Sequence, residues 1–113
     1  MVLLFLAFPV HCQSFKLSRV ISELDNPWSI SFVEEARLLV TEKAGKILQL
    51  DSKSGLKKII GHNLSVLEDG QGGLLDILYK DENVYVSYSE DRGDGKSSTS
   101  IAVGRFDPVR INF

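Results

Sequence analysis

The sequence predicts an all-β chain of short strands in successive meanders. Three observations carry that prediction. Apolar-rich runs alternate in and out at the strand period, tight polar turns separate them, and no segment sustains a helical period. The chain has 113 residues, enough for at most one small domain. It is 43% hydrophobic and 25% charged, with mean hydropathy near zero, which is ordinary for a globular protein.

The first ten residues, MVLLFLAFPV, are apolar, and no charged side chain precedes Lys16. A bilayer span needs about 20 apolar residues, so this run is too short to cross a membrane stably. It fits the apolar part of a secretory signal, although only the Met1 amine supplies positive charge before it. Residues 1–14 are therefore expected to be a signal peptide, cleaved near Cys12 or Ser14. Lipidation at Cys12 is disfavoured by the bulky His11 before it, and a buried first strand is the alternative. Export implies a periplasmic or secreted protein.

After the leader, FKLSRVIS (residues 15–22) alternates as a strand does. Asn26-Pro27 signals a turn, and WSISF (28–32) follows as a strand. EEA (34–36) separates it from RLLVTE (37–42), KAG precedes KILQLD (46–51), and SKSG precedes LKKIIG (56–61). The pattern then restarts with LLDILY (74–79), VYVSYSE (84–90) and SIAVGRF (100–106). A long polar loop, DRGDGKSST, is expected between the last two, and INF at the end would begin a fourth strand. Two successive four-strand groups suggest a repeat of about 40–50 residues, as in the blades of a β-propeller. One to two blades cannot close a ring, so the expectation is the front piece of a longer protein.

Composition excludes several partners. A net charge of −2 and pI near 5.6 give no reason to expect nucleic acid or an anionic membrane. Cys12 is the only cysteine, so no disulfide framework or cysteine zinc site is possible within the chain. GKS (95–97) lacks the first glycine of a phosphate loop, because Glu90 stands there, and it falls between strands. Gly70, Gly72 and Gly73 do not make a dinucleotide fingerprint, since Leu75 occupies the third glycine's place. Asp91 and Asp94 lack the spacing of a calcium loop. Arg92-Gly93-Asp94 spells an adhesion tripeptide but reads as solvated loop. Asn63-Leu64-Ser65 is a formal glycosylation site. His62 is expected to be a surface polar residue without a catalytic partner.

The most informative stretch is DGQGGLLDILY (69–79), where Gln71 sits among three glycines at the mouth of a buried strand. Glycine permits positive φ and close backbone approach, so a polar side chain fixed there could face a ligand. A plain turn with Gln71 in solvent is the alternative.

LDNPWSISF, RLLVTEKAGKI, GQGGLLDI and VYVSYSE, in that order, resemble the start of the glucose/sorbosone dehydrogenase family over roughly residues 17–113. The chain departs from the family at EEA, where a Pro-Asp-Gly turn is usual, and at DEN (81–83), which is shorter than usual. The resemblance implies an exported six-bladed β-propeller that uses pyrroloquinoline quinone (PQQ) with calcium to oxidise aldose sugars. It implies that residues 15–22 form the outer strand closing the ring, and that Gln71 lines the sugar pocket. Gly70, Gly72 and Gly73 would then be the ligand-loop backbone. The implied chemistry is hydride transfer from the anomeric carbon to PQQ, with a histidine as base and an arginine polarising the quinone. No residue of this chain matches that histidine, and the PQQ and calcium ligands are expected downstream. The chain alone is therefore expected to be inactive, with no catalytic or metal residue of its own and its electron acceptor unspecified. A non-catalytic exported propeller acting as a binding scaffold is the alternative, and a propeller lactonase a weaker one.

Overall fold

The computed structural model describes Leu4, Ala7, Pro9 and residues 14–113. The signal expected at residues 1–14 thus lies almost wholly outside the described residues. Among the described residues no helix is long and apolar enough to cross a membrane.

The strands are β1 (Pro27–Phe32), β2 (Arg37–Glu42), β3 (Ile47–Asp51), β4 (Lys57–His62), β5 (Leu74–Lys80), β6 (Asn83–Gly93), β7 (Lys96–Arg105) and β8 (Arg110–Ile111). β1 to β4 form one antiparallel meander and β5 to β7 a second, and the described residues do not close a ring. The all-β reading and its two successive groups therefore hold, and the first six strands lie within a few residues of their expected places.

Local chemistry explains the turns. Asp51 closes the β3–β4 turn by accepting hydrogen bonds at Oδ1 from the amides of Lys53 (2.9 Å) and Ser54 (3.0 Å). Those two donors, Ser54 first, hold its carboxyl below the usual carboxylate range. EEA makes a turn closed by reciprocal bonds between Glu34 and Arg37, at 3.2 and 3.3 Å. DEN is a two-residue hairpin turn in which Asp81 (φ 51°) and Glu82 (φ 66°) are both left-handed.

Three expectations are corrected. The loop expected at 91–99 is instead the end of a long hairpin. β6 and β7 stay paired out to Gly93 and Lys96, and Asp94-Gly95 turns the chain with φ of 56° and 71°. Asp-Gly is a strong signal for this type of turn; the polarity of its flanks reflects a hairpin that projects beyond the core. Residues 15–22 form no strand. Phe15 and Leu17 are exposed, while Ile21 and, just beyond, Leu24 pack across Leu38, Val40, Leu48 and Leu50 on the outer face of the first sheet. Lys57 Nζ holds this crossing by donating to the carbonyls of Ser22 and Glu23, both at 3.2 Å. Within this chain the segment's Ile21 covers a face of the first sheet. Lastly, β8 does not extend the second meander: it runs parallel to β4, pairing Arg110 with Gly61 and Ile111 with His62. A single bridge from Asn112 to Arg105 ties it to β7. Ile111 is fully buried, and a Cβ on Gly104 would stand 2.7 Å from its Cγ2, so burial fixes this register.

The main core lies between the sheets. Leu39, Ile47 and Ile60 meet Leu74, Ile77, Val84, Val86, Tyr88 and Ile111 there. Full burial of each such side chain stabilises by about 1.5–3 kcal/mol. Each sheet's other face carries exposed apolar groups: Ile30, Phe32 and Ile59 on the first, Leu78, Ile101 and Val103 on the second.

Two predictions arise from this fold. Glu82 is held left-handed at a cost of about 1–2 kcal/mol, while its exposed ion pair with Arg105 (2.7 Å) contributes only about 0.2–1 kcal/mol. Once glycine's extra unfolded-state entropy of about 0.4–1 kcal/mol is subtracted, these terms nearly cancel, so Glu82→Gly should change stability by no more than about 1 kcal/mol in chemical denaturation. Burial, reinforced by Glu90, pushes the Tyr88 hydroxyl above its ordinary value of 10.0. The neutral form is favoured by folding, so its stabilisation is complete below pH 10 and is lost as pH rises through the folded value. Urea titrations between pH 9 and 11.5 should show this loss in the native chain and less of it in Tyr88→Phe.

Candidate functional site

One end of the two sheets gathers the start of β1, the β2–β3 turn, the connection from β4 to β5, and Ser89 of β6. Gly70 and Gln71 are the central residues of a tight turn there. It closes by two bonds between Asp69 and Gly72, at 2.7 and 3.2 Å. Gly70 has φ 54° and Gln71 does not, the pattern of a type II′ turn, which favours glycine at its first central position.

The next two glycines are there because backbone passes close by. A Cβ on Gly72 would fall 2.6 Å from Ser89 Oγ. A Cβ on Gly73, whose φ is 156°, would collide with the Lys43 carbonyl and stand 2.8 Å from the Lys43 Cγ. These contacts are hydrogen-bonded. Leu74 N donates to Lys43 O (2.9 Å), and Ser89 N donates to Gly73 O (2.8 Å). Gly73 N donates to Ser89 Oγ at 3.2 Å. Lys43 N donates in turn to Asn26 O (3.0 Å), and its ammonium donates to Gly70 O.

Gln71 is exposed at the tip of this pinned turn. Among the described residues no protein group hydrogen-bonds its side-chain amide. That amide offers two donors and one acceptor, a set that suits vicinal hydroxyls. The structure thus brings Gly70, Gln71, Gly72 and Gly73 together and adds Lys43, Asn26 and Ser89. Sequence reading treats those three as turn and strand residues, because a lysine in a polar turn looks solvated until its partners are known.

His62 corrects its expectation. It is half-buried, with Nε2 2.5 Å from Gly45 O and Nδ1 accepting from Leu64 N at 3.1 Å. Nδ1 is therefore unprotonated and Nε2–H donates, so both nitrogens serve the connection that leads to the turn. Its ring meets Phe113 edge-on, at 6.3 Å between centroids. Asn63 is equally occupied, exchanging two bonds with the Phe113 backbone at 2.9 and 3.2 Å. Arg92 folds back onto Ser98 Oγ (2.8 Å) and Glu90 (3.1 Å).

The larger clefts lie elsewhere. One of about 410 Å³ runs beneath the N-terminal crossing, among Ile21, Leu24, Phe32 and Val40. Another, of about 330 Å³, is lined by Glu23, Asp25, Glu42 and three lysines. Among the described residues no three His, Cys, Asp or Glu side chains are grouped to hold a metal. The Lys43 ammonium is engaged by Gly70. Among the described residues, the pinned turn thus presents one exposed amide, that of Gln71, with no protein partner.

Comparison with known proteins agrees with the resemblance. The profile of the family described as Glucose / Sorbosone dehydrogenase matches residues 24–112. The aldose sugar dehydrogenase YliI of Escherichia coli is 32% identical over 89 residues, which are 74% of this chain and 24% of that protein. A glucose dehydrogenase crystal structure superposes with a TM-score of 0.77 at 32% identity, over 84% of this chain and 30% of the other. The PQQ-bound aldose sugar dehydrogenase of Streptomyces coelicolor gives 0.70 at 28% identity, over 80% of this chain and 28% of the other. The chain thus spans about a quarter of the length of the curated relative.

The glycine contacts make a direct prediction. Gly73→Ala should destabilise by about 1–3 kcal/mol or more, the scale of overpacking, since neither the Lys43 carbonyl nor the Leu74 bond can give way freely. Gly95→Ala has open space and a φ of 71°, a left-handed value that costs about 1–2 kcal/mol, less than the φ of 156° at Gly73. In chemical denaturation, a loss at Gly73 no larger than that at Gly95 would remove the packing role of Gly73.

Proposed function

We infer the function of this chain from one premise: it belongs to the glucose/sorbosone dehydrogenase family. Our reading is that it forms the N-terminal portion of an exported, PQQ-dependent oxidoreductase that oxidises aldose sugars at the anomeric carbon. Its two meanders are then the first blades of a six-bladed ring. The apolar run at residues 1–10 supports export to the periplasm or beyond. The names of the relatives, an aldose sugar dehydrogenase and a PQQ-bound form of one, support the substrate and cofactor classes. The ligands of PQQ and calcium, and the catalytic histidine, belong to other parts of the complete protein.

Within this chain the assigned role is substrate binding. The observation that carries it is Gln71: an exposed amide, free of protein partners among the described residues, on a backbone held from both sides by Lys43 and Ser89. A fixed amide can donate to one sugar hydroxyl and accept from another. Because the turn is already ordered, little conformational entropy is lost on binding.

The test is sugar oxidation by the complete protein with PQQ and calcium, with and without Gln71→Ala. The substitution should lower kcat/KM by the equivalent of about 1–3 kcal/mol, the scale of an unpaired polar partner. Unchanged kinetics would return Gln71 to a plain turn. No oxidation of any aldose by the PQQ-loaded native protein would favour the binding scaffold instead.

A further inference from the structure

We propose that Lys43 is a positioning residue: its ammonium locks the peptide between Gly70 and Gln71 in one orientation and so sets the direction of the Gln71 side chain. The proposal rests on the sugar-facing reading of Gln71 and adds a residue to it.

Three bonds made by one residue carry the inference. The Lys43 amide donates to Asn26 O and its carbonyl accepts from Leu74 N, at 3.0 and 2.9 Å. These fix its backbone between the start of β1 and the start of β5. Its ammonium then reaches Gly70 O, the carbonyl of the first central residue of the turn. That carbonyl belongs to the one peptide plane of a two-residue turn that can rotate without breaking the closing bonds. Rotating it converts a type II′ turn into type I′ and drives the second central residue to positive φ. For Gln71 that conformation is disfavoured but accessible, and Gly70 presents no steric barrier to it. A charged donor on Gly70 O selects one orientation, because charge-assisted bonds are about twice as strong as neutral ones. The Lys43 stem runs past Gly73, where a Cβ would stand 2.8 Å from its Cγ, and this passage leads the ammonium to the turn.

The experiment uses the complete protein with Lys43→Met, which keeps the stem and both backbone bonds, and Lys43→Arg, which keeps a donor. By NMR, Lys43→Met should bring up a cross-peak between the amide protons of Gly70 and Gln71, which lie close together in a type I′ turn and far apart in type II′, with Lys43→Arg keeping it weak. In sugar oxidation, Lys43→Met should raise KM about tenfold with kcat changed less than about twofold. In a Gln71→Ala background it should add nothing, because the effect passes through Gln71. Absence of that cross-peak in Lys43→Met would overturn the proposal. So would an equal rise in KM with and without Gln71. If Gln71→Ala alone leaves kinetics untouched, the sugar-facing reading fails, and the amide cross-peak alone then decides whether Lys43 locks the turn.

Discussion

The relation between the two sheets depends on how the free edge of β5 is satisfied. No strand of the first sheet pairs with it. Side-chain hydroxyls do the work instead. Ser31 Oγ accepts from Tyr79 N at 2.8 Å, and Thr41 Oγ1 donates to Leu75 O at 2.5 Å. Ser29 Oγ donates to Asp76 Oδ1, also at 2.5 Å. An unpaired edge is both a desolvation cost and a template for aggregation. Meeting it with short polar side chains from β1 and β2 lets the sheets diverge while few backbone groups are left orphaned. Each bond contributes about 1 kcal/mol net, so their effect is chiefly directional. They set the angle at which the apolar faces of the two meanders close on each other.

That angle is what brings the β2–β3 turn against the approach to β5. Lys43 lies just beyond Thr41, and Gly73 just before Leu74, so the hydroxyl bonds and the Lys43 bonds form one continuous seam. Catalytic and binding groups are commonly carried on loops held by a rigid scaffold. Here the scaffold extends through the loop itself, since the turn bearing Gln71 is bonded to both sheets.

Much of the fold is legible in the sequence because half-buried strands must alternate. Val84, Val86 and Tyr88 face inward, while Tyr85 and Ser87 face away, as the run VYVSYSE announces. What escapes the sequence is the use to which a pattern is put. FKLSRVIS alternates but covers a face, and the flanks of Asp94-Gly95 are polar yet paired. The site is legible in part for the same reason. Three glycines around Gln71 signal close approach without saying to what, and only the fold shows Lys43 and Ser89 on either side. His62 reads as solvated because nothing in its neighbourhood along the chain reveals Gly45 or Phe113.

The parallel pairing of β8 with β4 also bears on the order of events during folding. β1 to β4 and β5 to β7 are each linked by short turns, so both can zip locally at little loop-closure cost. The contacts made by the last residues are different: Asn63 and Phe113 are 50 positions apart, and Ile111 enters a core that both meanders must already have outlined. Such non-local contacts form late and slow the overall rate. The β8 segment thus closes over two meanders that have already met, and Phe113 comes edge-on to a histidine that Gly45 and Leu64 already hold.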